Sequence, residues 1–174
     1  YRVIHHGIES EPPKRTPITR TERALDDGRL HVLYVGRLEK RKGFDFLLMR
    51  VIPEVLKKSE RIVFHLVGKD CSMVDGFLEA HGQTYREWAK AHLAKAFGDS
   101  VKLYGYVEDR ELQNLYEEAD LIANFSRYES FGLLYLEAMR MGKPQMVFRN
   151  EAIREIMHGC DGPYVYDFED REGV

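Results

Sequence analysis

Cysteine is scarce in this chain of 174 residues. Cys71 and Cys160 are the only two, and each stands alone. No CxxC and no cysteine–histidine grouping has the spacing of a zinc site. Two isolated thiols in a domain this size read as reduced cysteines of a cytoplasmic protein. Long apolar runs are missing too: none exceeds four residues, as at 32–35, where a membrane span needs about 20. Charge of one sign is not in excess. Lys plus Arg is 26 against 29 Asp plus Glu, a net −3, so the electrostatic footprint of a nucleic-acid binder is absent.

Familiar chemical signatures are absent as well. There is no GxGxxG, no GxxxxGK[ST], no GxSxG and no HExxH, so the usual dinucleotide, P-loop, serine-hydrolase and zinc-protease readings have no support. Asp-x-Asp, a common metal–diphosphate motif, does not occur either. The seven histidines are scattered. His65 falls in a predicted strand, and His92 falls on an apolar helical stripe, where a packed core histidine is the expected reading.

What is present is a regular alternation. Short apolar runs at 31–36, 62–67, 101–107, 121–125, 145–148 and 164–166 read as buried strands. Arg2–Ile4 reads as a further short strand. Between the runs lie helical patterns. Phe44, Leu47, Leu48, Val51, Ile52 and Val55 make one helix face, in which Pro53 predicts a kink or break. Tyr85, Trp88, Ala89, His92, Leu93 and Ala96 make another. Asp109 is placed to cap a third helix, residues 131–141 form a fourth, and Asn150 caps a short fifth over 151–157. This alternation predicts an α/β fold: a Rossmann-like three-layer sandwich with a mostly parallel sheet of about six strands. Residues 10–29, polar and carrying Pro12, Pro13 and Pro17, read as a linker or surface excursion, and 30–174 as the folded domain. The chain begins at Tyr1 rather than Met, and reads as a piece of a longer protein.

In such sheets ligands bind at the carboxyl ends of strands, so the loops there are the places to search. The loop after the first strand, Arg37-Leu-Glu-Lys-Arg-Lys42-Gly43, holds four cations and one carboxylate. It suits a phosphate; a solvated charge run is the competing reading. Glu129-Ser-Phe-Gly-Leu-Leu-Tyr-Leu-Glu137 joins the fourth strand to the next helix. Ser130, Phe131, Gly132 and Leu133 would offer the free N–H groups of a helix start to an anion. Glu129 and Glu137 would stand at two ends of one ligand, holding hydroxyls; the competing reading has Glu129 complementing the helix dipole and Glu137 facing solvent.

Together these residues resemble the C-terminal domain of the GT-B-fold retaining glycosyltransferases of family 4, or group 1. Gly36-Arg37-Leu38 with Lys42-Gly43 looks like the family's G-R-L-x-x-x-K-G loop. Glu129-x7-Glu137, with Ser130-Phe131-Gly132 and a following Gly142-Lys143-Pro144, looks like its E-x7-E signature. The run 101–107, followed by Leu112, Tyr116 and Ala119-Asp120, looks like the strand and helix that precede that signature. Val3-Ile4 and Gly7-Ile8 resemble the interdomain hinge, although His5-His6 stands where Pro-Asn is usual. Arg149-Asn150-Glu151-Ala152 departs from a common glycine pair, and Gly68-Lys69-Asp70 from a commoner Gly-rich loop.

The resemblance implies the donor-binding half of a retaining, metal-independent enzyme. It would use a UDP-, GDP- or ADP-sugar as substrate and no cofactor, and would transfer the sugar to a glycan or lipid-linked acceptor. Arg37 and Lys42 would bind the diphosphate, helped by Gly36 and by the amides of Ser130, Phe131, Gly132 and Leu133. Glu129 would hold donor-sugar hydroxyls, Glu137 the ribose, and backbone around Gly105 and Val107 the base. Acceptor binding, and any peripheral membrane attachment, would belong to an N-terminal domain outside this chain, so the fragment alone is expected to be inactive. A non-catalytic nucleotide-sugar-binding module, or another GT-B enzyme such as an epimerase or phosphorylase, are the alternatives.

Overall fold

The computed structural model describes residues 27–156 and the backbone of 165–166. The expected strand at 2–4, the hinge and linker up to residue 26, and Cys160 lie outside the described residues. Six parallel strands form one sheet: β1 (Leu30–Val35), β2 (Ile62–Val67), β3 (Val101–Gly105), β4 (Leu121–Asn124), β5 (Gln145–Phe148) and a two-residue β6 (Val165–Tyr166). Five are full strands and the sixth is a stub beside β5. Their order is β3-β2-β1-β4-β5-β6. The chain winds outward one way from β1 to β3, then returns to the other side of β1 with β4. The switch between β1 and β4 is the position where a sheet of this kind opens a crevice.

Alternation along each strand sorts the core into two layers. Val32, Tyr34, Phe64, Leu66 and Ala123 face one way and pack with Phe44, Leu48, Ile52, Tyr85 and Leu93. Leu33, Val67 and Ile122 face the other way, against Leu115, Tyr116 and Ala138. The result is the expected helix–sheet–helix sandwich. Among the described residues no helix is long and apolar enough to cross a membrane.

The first helix, α1, covers 44–58, and Pro53 does not break it. Its middle, Leu47–Val51, is wound as a π-helix, and the Ile52 amide reaches back to the Leu47 carbonyl. This wider turn just before Pro53 accommodates the ring that would clash in a regular α-turn. After α2 (Phe77–His81), helix α3 covers 85–97 behind a capping box of Thr84 and Glu87. It too contains a π-turn, Lys90–Ala94. The extra residue rotates the apolar face, so the buried stripe is Tyr85, Ala89 and Leu93. His92 is therefore exposed rather than packed in the core; it stacks on Trp88 at 4.3 Å.

The remaining helices are α4 (Asp109–Glu118), α5 (Leu133–Arg140) and α6 (Glu151–Ile156). Glu108, not Asp109, occupies the cap position of α4. Asn150 caps α6 as expected, its Oδ1 accepting from the Ile153 amide at 3.0 Å. Strand β3 stops at Gly105, two residues before the predicted end. There the backbone leaves the ladder and the Gly105 carbonyl accepts from the Gly68 amide at 2.7 Å.

Candidate functional site

The cationic loop and the Glu129 segment follow β1 and β4, so the topology sets both at the switch point. Their contact depends on one glycine. Gly43 has φ +68, and a Cβ there would lie 1.9 Å from the Phe125 carbonyl oxygen. Only a residue without a side chain lets the β1 loop rest on the end of β4.

Polar contacts then stitch the two loops together. The Arg127 guanidinium pairs with Asp45 at 2.6 and 3.0 Å and also donates to the Lys40 carbonyl. The Arg127 amide donates to the Arg41 carbonyl at 3.0 Å, and Arg41 Nη1 donates to the Tyr128 carbonyl at 3.2 Å. Lys42 Nζ donates to Glu129 Oε1, an ion pair with both side chains mostly out of solvent.

The β1 loop is itself built around a buried carboxylate. Glu39 takes Arg41 at 3.0 Å and Arg37 at 3.2 Å. A turn at Lys40–Lys42 closes through the Lys42 amide on the Glu39 carbonyl, 3.1 Å. Leu38 exchanges backbone bonds with Lys69 and Cys71 beyond β2, and the Lys40 amide donates to Asp75 at 2.7 Å. A solvated charge run would not be held at this many points. Arg37 remains the most exposed of these paired cations, at 55% of its side chain.

Beneath Glu129 lies a polar platform that sequence reasoning missed. Ser126, fully buried, brings its Oγ within 2.9 Å of Glu129 Oε1 and 2.7 Å of Asn124 Oδ1. The Ser126 amide also donates to Asn124 Oδ1 at 3.0 Å, and the Ser126 carbonyl accepts from Asn150 at 2.9 Å. The one available signal was a small hydroxyl residue three positions before Glu129.

Helix α5 begins later than predicted. Gly132, at φ +85, is its cap, and a Cβ there would meet the Tyr135 ring at 2.5 Å. Ser130 and Phe131 therefore precede the helix and are not part of its N-terminus. Leu133 and Leu134 hold the first helical positions, where amides have no carbonyl within the helix to reach. Glu137 lies within α5 and accepts from the Tyr116 hydroxyl of α4 at 3.4 Å. Burial pushes the Glu137 carboxyl up, against the opposing Tyr116 bond and the Arg140 charge.

Glu129 thus bonds across to Lys42 of the β1 loop and to Ser126, and Glu137 to Tyr116 of α4. Gly36 is joined to β2 by its amide on the Val67 carbonyl, 3.0 Å. Gly105 and Val107 sit beyond β2, about 10 Å from β1 by strand spacing, with the Arg86 side chain against Gly105.

A 41.2 kDa protein of the Klebsiella pneumoniae cps region is 28% identical over 99% of this chain and 43% of its own length. Mannosylfructose-phosphate synthase of Agrobacterium fabrum is 30% identical over 79% of this chain and 30% of its own. The chain spans less than half the length of these curated relatives. Among solved structures, the C-terminal domain of the Francisella tularensis group 1 glycosyl transferase LpcC superposes with a TM-score of 0.67 at 19% identity, over 92% of this chain and 80% of that one. Anabaena HepE in complex with UDP-glucose gives a TM-score of 0.61 at 22% identity, over 82% and 35%. The family model described as "Glycosyl transferases group 1" matches residues 29–173, and the chain belongs to that family.

Proposed function

We propose that this chain is the donor-binding half of a retaining, metal-independent glycosyltransferase that takes a sugar from a nucleoside-diphosphate sugar. The observation that carries the reading is the meeting of Lys42 and Glu129 at the switch point, beside the start of α5. A cation for phosphate, a carboxylate for sugar hydroxyls and the first amides of α5 all follow β1 and β4, the two strands of the switch point. The Anabaena neighbour, whose structure holds UDP-glucose, supports placing UDP-sugars first among candidate donors.

Departure of a nucleoside diphosphate leaves negative charge on phosphate oxygens. Lys42, Arg37 and the amides of Leu133 and Leu134 would stabilise that charge as it develops, already in position before it appears. Gly36 lets the phosphates approach the backbone. Glu129, fixed from below by Ser126, would position the donor sugar, and Glu137 the ribose. The turn at Gly105–Val107 would meet the base. Acceptor groups would come from a further domain, as would any attachment of a cytoplasmic enzyme to a membrane surface.

The test is calorimetry with UDP, GDP and ADP and their sugar conjugates, on this chain and on Lys42→Ala. One nucleotide bound by the native chain and lost in the variant supports the assignment. Equal binding by both would remove Lys42 from the site.

A further inference from the structure

A second polar cluster lies inside the sheet, away from the crevice. His31 on β1 and His65 on β2 are buried, 3% and 2% exposed, on the face that packs against α4. Four groups stand in a row. Asp27 Oδ1 is 3.1 Å from His31 Nε2, His31 Nδ1 is 2.9 Å from His65 Nε2, and His65 Nδ1 is 2.7 Å from the Tyr104 hydroxyl.

Proton counting gives this row a direction. Burial opposes it, but bonds from the Arg29 amide and guanidinium and from His31 hold the Asp27 carboxyl far below its usual range, so Asp27 can only accept. His31 Nε2 must then carry a proton. In a neutral ring His31 Nδ1 must accept, so His65 Nε2 carries the next proton. His65 Nδ1 must accept in turn, and it takes the Tyr104 proton. Every contact holds one proton and all point the same way, toward Asp27.

An extra proton cannot enter without turning the Tyr104 hydroxyl. On His65 Nδ1 it meets the Tyr104 proton directly, while the bonds to His31 and Asp27 stand unchanged. On His31 Nδ1 it sets two N–H groups face to face across 2.9 Å until His65 shifts its own proton to Nδ1, where Tyr104 must again give way. Tyr104 immediately precedes Gly105, where β3 leaves the sheet. We propose that Asp27, His31, His65 and Tyr104 form a one-way relay that takes up a single proton and transmits it as a change at the Gly105–Val107 turn. On the donor-binding reading that turn meets the base, so acidification weakens nucleotide binding.

The surrounding charges fit a relay that stays neutral until the medium is acidic. Arg29 stands beside Asp27, and Lys102 on β3 acts on His65; both oppose a further positive charge. Asp120 is occupied by the His31 amide at 2.9 Å. Glu111 on α4 is the charge acting on Tyr104. Burial first, then His31, Lys102 and Arg29, push His65 down to about 4, with Asp27 acting the other way.

Histidine nitrogen NMR on this chain tests the relay directly. At about pH 7.5 both rings are expected as the Nε2–H form, and on acidification one proton enters the row at His65, whose midpoint lies at about 4. The Gly105 amide signal should move with that midpoint. In Tyr104→Phe, which keeps the ring, the His65 lone pair is freed. The midpoint should rise and the Gly105 response should disappear. Independent titration of the two rings near 6.5, an Nδ1–H form of either, or a Gly105 amide that ignores the transition would overturn the relay. For a nucleotide that binds at neutral pH, Kd should rise about fivefold or more through the same midpoint. Absence of nucleotide binding at every pH would strike the donor-binding reading, while the spectra still decide the relay.

Discussion

Lys42 and Glu129, 87 residues apart in the chain, meet side chain to side chain across the two loops of the switch point. Each is the charged group the other is paired with. On the proposed function, a diphosphate that drew Lys42 away would leave Glu129 with Ser126 and with the hydroxyls of the sugar. Such an exchange would favour a ligand that supplies both an anion and hydroxyls.

Removing one partner should therefore cost stability as well as binding. Lys42→Ala is expected to lower stability by about 3 kcal/mol, because it leaves a largely buried carboxylate unpaired. Adding Glu129→Gln should recover much of that loss without restoring nucleotide binding. Urea denaturation of the two variants, with calorimetry beside it, checks both halves. Failure of the second substitution to help would mean that the pair contributes little.

Ser126→Ala tests the platform. Glu129 would lose its lower contact while Asn124 keeps the Ser126 amide. On the proposed function, affinity for a nucleotide sugar should fall about tenfold, the worth of one hydrogen bond to a charged group. Affinity for the nucleotide without its sugar should hold. An equal loss for both ligands would assign Ser126 a general structural role.

Gly43→Ala should be among the most damaging small substitutions in the chain. Its methyl would enter the space of the Phe125 carbonyl oxygen, and relief requires the two loops to part. We expect a loss of about 2–3 kcal/mol. Gly28→Ala is the control: it shares a positive φ, but nothing lies within 4 Å of the added methyl. Similar losses in the two variants would show that backbone conformation, not the loop contact, sets the cost.

His65 predicts an acid limit to stability. Its folded value of about 4 lies below the ordinary 6.5. Between those values the unfolded chain binds the proton and the folded chain does not, so stability falls as pH drops from 6.5 toward 4. The full effect is roughly 3 kcal/mol. His65→Phe should flatten the dependence in denaturation series from about pH 7 to about pH 4.5. An unchanged slope would place the acid sensitivity elsewhere.

The strands and most helices were legible because burial leaves a local trace: short β-branched runs for parallel strands, and Phe44, Leu48 and Ile52 along one face of α1. The two loops were legible because four cations beside one carboxylate, and a Glu–Glu spacing at a helix start, are local too. Lateral order was not. An apolar strand does not encode which neighbour it takes, and only pairing across the sheet put β4 beside β1. The π-turns of α1 and α3 escaped for a related reason: a regular period carried through them assigns His92 to the wrong face. Ser126 and the His31–His65 pair depend on residues brought together by folding, and no spacing in the sequence announces them.

On the proposed function, the contact between Gly43 and the Phe125 carbonyl bears on how motion would be divided during a catalytic cycle. With Arg127, Arg41 and Lys42 crossing the same seam, the two loops are a single plate with no slack between its halves. Such a plate is an anvil and not a jaw. Enclosing a ligand upon it requires the approach of some other body, and the energy of that approach is not spent on reshaping the surface it meets.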